Sequence, residues 1–172
     1  MERRRDGETL HSLPAPHVCC PMTANDFIYS TADVPTVAEF ADVLRRSTLS
    51  ERRPVHDAAC LAQMVAGASL WATCRRHGEL IGVARSVTDF AYCCYLSDLA
   101  VDQAHARQGI GRRLIAETRA RLGPRCSMIL LSAPAAVDYY PRIGFTHHPQ
   151  AWIMKPEPQP DFPKSSSGRS RL

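Results

Sequence analysis

The sequence has no apolar run of the ~18–20 residues that a transmembrane helix needs. The arginines at positions 3–5 are not followed by an apolar block, so no signal peptide is expected. A dense basic tract interleaved with aromatic residues, as nucleic-acid-binding surfaces usually have, is also missing, and the net charge is only +4. These absences argue against a membrane protein and against a nucleic-acid-binding protein.

Paired cysteines are missing as well. The chain has seven cysteines, an odd number, and none of them forms a CxxC pair. We therefore expect reduced thiols in a cytoplasmic protein, and neither a disulfide framework nor a zinc site. His147 and His148 are adjacent, but neighbouring strand residues point in opposite directions and no third ligand is visible, so we expect no metal.

The 172 residues are 45% apolar, which suits one soluble domain with a substantial core. Residues 1–24 are polar, proline-dotted and aperiodic, and we expect a disordered lead in which Met22 is a candidate natural start. Residues 156–172 are rich in Pro, Ser and Arg and cannot bury enough apolar surface to become ordered. The folded domain is therefore expected over residues 25–155.

The first part of this domain shows alternating strand and helix signals. A strand is predicted over 27–30, followed by a helix whose start has the capping-box spacing of Thr36 and Glu39. A second helix carries an apolar stripe made of Leu61, Met64, Val65 and Ala68. Three strands joined by short turns, a pattern that favours antiparallel hairpins, are then predicted over 69–75, 80–87 and 91–101.

The second part begins with an amphipathic helix that Gly123 and Pro124 end. Its buried face is predicted to consist of Ile110, Leu114, Ile115, Thr118 and Leu122. An apolar strand over 127–132 follows and, because a helix links the two strands, lies parallel to its predecessor. A short helix over 135–141 and a last strand over 151–154 complete the predicted order.

The loop before this amphipathic helix is the most informative stretch of the chain. Gly109 and Gly111 allow a ligand to approach the backbone, and the first amides of a helix have no partners within it. That combination is typical of a phosphate site, although an ordinary tight turn would look the same. No Lys-Ser or Lys-Thr follows the glycines, and the third glycine of a dinucleotide fingerprint is absent.

Two motifs and the order of elements resemble the GCN5-related N-acetyltransferase (GNAT) family over roughly residues 27–154. The segment RQGIGR at 107–112 is similar to the family's pyrophosphate loop, and YYPRIGF at 139–145 is similar to its F/Y-Y-x-x-x-G-F segment. Ala106 departs from the Gln or Arg that usually begins the loop motif, and Ala133 replaces an Asn found in many relatives. The first departure puts one side-chain contact to phosphate in doubt, and the second removes a polar contact.

The resemblance implies an α/β (α+β) fold of the GNAT acyl-CoA N-acyltransferase type. We expect a mixed, twisted sheet of six to seven strands flanked by about four helices, with the fourth and fifth strands splayed apart. In the family, the pantetheine arm of acetyl-CoA fills that gap like an extra strand.

The resemblance also implies which residues bind the co-substrate acetyl-CoA. The backbone of Leu99 and Val101 would hydrogen-bond the pantetheine arm, and the amides of residues 107–112 would hold the pyrophosphate, with Arg107 or Arg112 adding charge. The complete predicted set is Leu99, Ala100, Val101, Ala106, Arg107, Gln108, Gly109, Ile110, Gly111 and Arg112.

Two residues are candidates for proton transfer. Tyr140 matches the family tyrosine that protonates the departing thiolate, although a lone tyrosine is more often a core aromatic. Asp98 lies on the fourth strand, where relatives place acidic groups that take the amine proton. Its alternative role is that of a structural acceptor, with water as the base. Some polyamine-acetylating relatives have Glu-Asp where this chain has Ser97 and Asp98.

Two further segments have candidate roles near the expected ligands. His105 in the glycine loop is expected to be exposed, in a position to stack near the nucleotide. Residues 51–53, Glu-Arg-Arg, fall where family members build the acceptor pocket, but a solvated turn is the preferred interpretation.

We therefore expect an acetyl-CoA-dependent N-acetyltransferase that acts on a primary amine, in the first place of a small molecule, by direct attack in a ternary complex. A non-catalytic acyl-CoA-binding module and a protein or peptide N-acetyltransferase are the alternatives. No metal, nucleic acid or membrane partner is expected, and a homodimer is left open. The sequence does not identify the acceptor.

Overall fold

The computed structural model describes residues 26–156. The predicted lead over 1–24, with Met22, and all but the first residue of the predicted tail lie outside the described residues. By their contacts, the described residues divide after Leu131 into two compact units. The first holds the sheet and all the described α-helices, and the second consists of turns and irregular chain.

The first unit is a mixed five-stranded sheet in the order β1-β2-β3-β4-β5. The strands are β1 (Phe27–Ser30), β2 (Leu70–Arg76), β3 (Glu79–Thr88), β4 (Cys93–Val101) and β5 (Ser127–Ile129). The first four pair antiparallel, as the short turns predicted, and β5 runs parallel to β4. The α/β class and the antiparallel and parallel pairings are confirmed.

The described part of the chain contains three α-helices: α1 (Val37–Arg46), α2 (Ala58–Ala66) and α3 (Ile110–Ala120). The prediction of six to seven strands and about four helices is therefore wrong for these residues. The apolar run expected over 127–132 also forms a shorter strand, since β5 ends at Ile129.

Helix α1 starts where its capping chemistry predicts. The Thr36 hydroxyl accepts from the Glu39 amide at 3.2 Å, and the Glu39 carboxylate accepts from the Thr36 amide at 2.8 Å. These two bonds satisfy amides that would otherwise have no partner at the helix start. The Glu39 carboxylate also accepts from Arg75 of β2 at 2.7 Å, which ties the helix to the sheet.

The sheet has a core on each of its faces. Helices α1 and α2 cover one face, where Phe40, Leu44 and Leu61 are buried, and α3 covers the other with Ile110 and Leu114. The backbone of β3 at Gly82 lies close to the side chains of α3. A Cβ added at Gly82 would lie 3.1 and 3.2 Å from side-chain carbons of Ile110 and Leu114. A glycine at this position lets α3 pack directly against the strand.

A β-bulge in β4 decides which side chains reach each face. Asp98 pairs with Arg85 of β3 and Leu96 pairs with Ser86, so Ser97 between them is an extra residue without a ladder partner. Strand alternation would place Leu96 and Asp98 on one face. Because of the bulge, Leu96 instead packs in the α3-side core, and Asp98 turns toward the segment between α1 and α2.

The second unit corrects two sequence predictions. The helix expected over 135–141 is instead two short 3₁₀ turns, Pro134–Ala136 and Pro141–Ile143. Pro141 supplies no amide for a continued helix, and the stretch before it is too short to be stable as one. The strand expected over 151–154 is irregular, with Trp152 and Met154 almost fully exposed. An apolar run becomes a strand only where another strand pairs with it, and the described chain provides no ladder there.

Candidate active site

The loop after β4 is anchored at its first residue. The buried Asp102 carboxylate accepts from the amide of Ala104 at 2.8 Å and pairs with the guanidinium of Arg46 on α1. Arg46 also donates to the carbonyl of Leu80 at 2.8 Å. Helix α1 and strand β3 therefore hold the start of the loop in place from the opposite face of the sheet.

The loop ends in a helix start that no side chain caps. Gly109 is the N-cap of α3 with φ +80°, a left-handed conformation that glycine adopts without strain, and Arg107 also has a positive φ of 61°. The first intrahelical bond runs from the Arg113 amide to the Gly109 carbonyl at 3.0 Å. Within the described residues, no hydrogen bond is made by any amide from Arg107 through Arg112.

This row of amides lies in a positive environment. The positive end of the α3 dipole is at Gly109, and the exposed side chains of Arg107 and Arg112 form no ion pair with other described residues. Arg113, by contrast, is paired with Glu117 at 2.7 Å and lies over the Tyr29 ring. Unengaged amides at a helix start and two guanidinium groups without an ion pair are the groups that an anion such as a diphosphate would need.

The edge of β4 beside this loop is open. Its ladder with β5 runs from Cys93 only as far as Tyr95, so among the described strands none pairs with Leu96 to Val101 on that side. The Asp102 amide donates to the Ile81 carbonyl at 2.9 Å, which marks one hydrogen-bonded rung with β3. Because rungs alternate in an antiparallel ladder, Leu99 and Val101 direct their amides and carbonyls away from β3 and toward the open edge.

Asp98 lies at the bulge with its side chain fully shielded from solvent. One carboxylate oxygen is bonded to Arg53 and the other to Arg85, and both guanidinium groups also bond Ser97, at 2.7 Å to its carbonyl and at 2.8 Å to its hydroxyl. Because both carboxylate oxygens are engaged by cations, this arrangement fits the alternative in which Asp98 is a structural hydrogen-bond acceptor and not the base. Asp98 would have to give up one of these bonds to take a proton from an amine.

The interpretation of residues 51–53 as a solvated turn is therefore wrong for Arg53. Glu51 and Arg52 are exposed, but the side chain of Arg53 reaches into the sheet and is only 22% exposed. Arg85 was not predicted at all. The available signal was an arginine inside an otherwise apolar strand, since a buried guanidinium requires an acidic partner.

His105 also differs from its prediction. Its ring packs edge-on against Phe27 with the ring centroids 6.0 Å apart, and its Nδ1 atom is buried without a hydrogen-bond partner among the described residues. The expected exposed ring stacking near a nucleotide is thus replaced by a packed ring beneath the loop.

Tyr140 belongs to the second unit, where its ring packs against Tyr139 and Phe145 at centroid distances of 5.3 and 5.5 Å. Its carbonyl accepts from the amides of Ile143 and Phe145 at 3.1 Å, which closes the turn that ends at Gly144 with φ +97°. Burial raises the pKa of the Tyr140 phenol. The hydroxyl therefore remains protonated at neutral pH, as an acid requires.

A cavity in the first unit lies elsewhere. Its volume is about 400 Å³, and its lining includes Val34, Val65, Trp71 and Phe90. Phe90 precedes β4, whereas the glycine loop follows it, so the cavity and the loop lie at opposite ends of that strand.

Three further findings concern expected features. The described cysteines are free thiols, and Cys93 is exposed while Cys94 is buried, as their opposite strand faces predict. No described helix is long and apolar enough to cross a membrane. Among residues 26–156, no cluster of three or more His, Cys, Asp or Glu side chains is placed to hold a metal ion.

Comparison with known proteins agrees with this geometry. The sequence profile of the acetyltransferase (GNAT) domain family matches residues 40–153. A histone acetyltransferase, TAP1, from Glycine max is 31% identical over 109 residues, which cover 58% of this chain and 47% of the relative. The chain thus spans about half the length of that relative.

Solved structures share the fold at low sequence identity. A probable acetyltransferase from meticillin-resistant Staphylococcus aureus superposes with a TM-score of 0.64 at 17% identity, covering 76% of this chain and 98% of that one. An aminoglycoside acetyltransferase from an uncultured soil metagenomic sample, in complex with trehalose, has a TM-score of 0.58 at 18% identity, covering 78% and 98%.

The open strand edge leads to an uncapped, positively charged helix start, an arrangement suited to an extended ligand that ends in an anion. Since the family profile matches residues 40–153, about two thirds of the 172 residues, the chain belongs to the GNAT acetyltransferase family. Members of this family use acetyl-CoA as the acyl donor.

Proposed function

We propose that this protein transfers the acetyl group of acetyl-CoA to the primary amine of a small molecule, by direct attack in a ternary complex. The observation that carries the proposal is the uninterrupted row of unengaged amides over residues 107–112 beside the open edge of β4. Both features are the ones that a diphosphate joined to an extended arm requires.

The residues suit the two parts of the donor. The amides of the loop, with Arg107 and Arg112, would hold the pyrophosphate. The backbone of Leu99 and Val101 would bond the pantetheine arm, with Ala100 between them facing the core. From Val101 back to Ser97 the strand extends about 13 Å, so an arm along this edge would bring the thioester close to the bulge.

In the reaction, the neutral amine nitrogen forms a bond to the thioester carbonyl carbon, and the carbon–sulfur bond breaks. The proton that the amine loses goes to a base, either Asp98 or water, and the thiolate takes a proton from an acid. We assign the acid role to the Tyr140 hydroxyl. The two guanidinium bonds on Asp98 favour water as the base.

Similar proteins indicate two classes of acceptor. One related protein is named as a histone acetyltransferase and one structural neighbour as an aminoglycoside acetyltransferase, so protein and small-molecule acceptors both occur among similar proteins. We propose a small-molecule acceptor, a folded domain over residues 25–155 and a cytoplasmic location, the last because the described cysteines are free thiols.

The test is an assay of thiol release from acetyl-CoA with a panel of amines and peptides, followed by mass spectrometry of the products. We expect acetylated small amines. Thermal stabilisation by CoA without turnover on any acceptor would instead support a non-catalytic binding module, and turnover on peptides alone would support a protein acetyltransferase.

Tyr140→Phe tests the acid role. Removing the hydroxyl should lower kcat by about 10²-fold or more while the affinity for CoA stays nearly unchanged. Tyr139→Phe, which deletes the same atom from the neighbouring ring, is the matched control and should retain activity. Unchanged turnover in Tyr140→Phe would remove this residue from the mechanism.

A further inference from the structure

The cluster at the β4 bulge contains more positive than negative charge. Arg53 and Arg85 each carry one positive charge and share the single carboxylate of Asp98, which leaves a net charge of +1. Glu51 and Arg52, exposed on the adjoining turn, cancel one another. Removing a guanidinium group from water costs free energy unless a negative charge balances it. The excess positive charge of this cluster therefore favours the binding of an anion.

The donors of the two arginines are used unequally. All three nitrogens of Arg53 donate within the described chain, to Asp98, Ser97 and the carbonyl of Arg52. Arg85 uses Nε on Asp98 and Nη2 on Ser97, whereas its Nη1 has no partner among the described residues. The Arg85 side chain keeps 9% of its surface exposed. The cluster therefore has both an uncompensated charge and an uncommitted donor.

The position of this cluster relates it to the acceptor. Ser97 is two residues from Leu99, about 7 Å along the strand, and lies where the proposed donor arm would end. Asp98 and both guanidinium groups project to the α1–α2 side of the sheet, away from the core under α3. An amine that approaches the thioester from that side passes the two arginines.

We propose that Arg53 and Arg85 select an acceptor whose amine is accompanied by a carboxylate, as in a small amino acid, and disfavour polycationic amines. This inference rests on the proposed acetyl transfer. The uncommitted Nη1 of Arg85 would donate to the acceptor carboxylate, and Arg53 would add its positive charge to the attraction. The same positive charge would repel a second ammonium group. It would also favour the neutral form of the attacking amine.

The experiment compares amino acids with their own amides, which keep the shape and the amine but lack the negative charge. We expect kcat/KM for the acids to exceed that for the amides by about tenfold or more, mainly through KM. Spermidine serves as the polycationic acceptor and should be a poor substrate. Mass spectrometry of each product confirms the N-acetyl group.

Variants connect the preference to the cluster. Arg53→Gln should remove most of the difference between acids and amides, and Arg53→Lys should restore part of it because the charge returns without the planar fork. Arg52→Gln removes the same charge from the exposed neighbour and should retain the preference. Arg85→Gln is made in parallel, with circular dichroism and CoA-induced thermal stabilisation reporting whether it folds.

The outcomes separate this inference from the proposed function. Turnover on amines with no preference for the carboxylate, or a preference that survives in Arg53→Gln, would overturn the inference and leave the acetyl transfer standing. If Arg52→Gln reduced the preference as much as Arg53→Gln, the inference would also be overturned. The preference would then depend on the overall positive charge of the turn and not on the cluster at the bulge. Absence of turnover on every acceptor would contradict the proposed function itself.

Discussion

Gly109 allows a quantitative test of the anion site because the chain contains a matched control. Gly109 has φ +80°, and Gly78, in the turn between β2 and β3, has φ +83°. At both positions a Cβ would have nothing within 4 Å. Gly109→Ala and Gly78→Ala therefore introduce the same backbone strain and no steric clash.

The strain has a predictable size. A left-handed conformation destabilises an L-residue by about 1–2 kcal/mol. Alanine also reduces the conformational entropy of the unfolded chain, which stabilises the fold by about 0.4–1 kcal/mol and offsets part of this loss. The net loss in the free energy of unfolding is about 1 kcal/mol for either variant. For a domain of this size, that corresponds to a fall in Tm of roughly 3–5 °C.

Only the variant at the anion site should lose CoA affinity. Relief of the strain at residue 109 rotates the neighbouring peptide groups and turns at least one amide away from the bound phosphate. A hydrogen bond to a charged group contributes about 1.5–3 kcal/mol, so Kd for CoA should rise by roughly 10–100-fold in Gly109→Ala. Gly78→Ala should bind as the wild type does.

Thermal unfolding without ligand and isothermal titration calorimetry with CoA measure the two effects separately. If both variants bind CoA equally well, the row of amides before α3 does not hold the diphosphate, and the reasoning fails. If Gly78→Ala loses stability but Gly109→Ala does not, the left-handed cap at residue 109 is not required.

Two further predictions concern the supports of the site. Arg75 and Thr36 hold the pKa of Glu39 at about 2, below its usual 4.5, so its carboxylate stabilises the fold above about pH 4.5 and this contribution is lost as the pH falls toward 2. After allowance for solvent screening we expect a loss of about 1 kcal/mol, which urea titrations at pH 6 and pH 3 would measure. Glu39→Gln should have a flatter profile over this range, and an equally steep one would contradict the assignment. Asp102→Asn should lower the free energy of unfolding by about 2 kcal/mol, because Arg46 loses its buried charged partner and keeps only its pairs with the more exposed Asp42 and Glu79. It should also weaken CoA binding by freeing the start of the loop, and calorimetry that shows unchanged affinity would refute that coupling.

Local chemistry explains which parts of the fold could be predicted. Thr36 and Glu39 determine the start of α1 through hydrogen bonds within four residues of sequence, whereas Gly109 determines the start of α3 through its left-handed backbone conformation. The 3.6-residue period correctly predicted the buried Ile110, Leu114 and Thr118, whereas the predicted Leu122 lies beyond the helix, which ends at Ala120. Short turns predicted the antiparallel hairpins because chain length alone excludes other connections.

The missed features depend on partners distant in sequence. Arg53 and Asp98 are 45 residues apart, and nothing in either segment alone indicates that they pair. The apolar run at 151–154 was predicted as a strand from its composition, but strand formation depends on a neighbouring edge. Proton-transfer roles for Asp98 and Tyr140 came from the family resemblance and remain predictions.

The bulge at Ser97 is the feature that would give β4 the two separate functions proposed above. In a regular strand, Asp98 would lie on the same face as Leu96, against the apolar core formed by Ile110 and Leu114, where a carboxylate has no partner. The extra residue reverses the alternation, so Asp98 meets two arginines on one face while Leu99 packs on the other. The open edge of the same strand leaves the amides of Leu99 and Val101 without a strand partner among the described residues. On the two proposals, one strand would bind the donor along its edge and select the acceptor through its face, and a single inserted residue would separate the two roles.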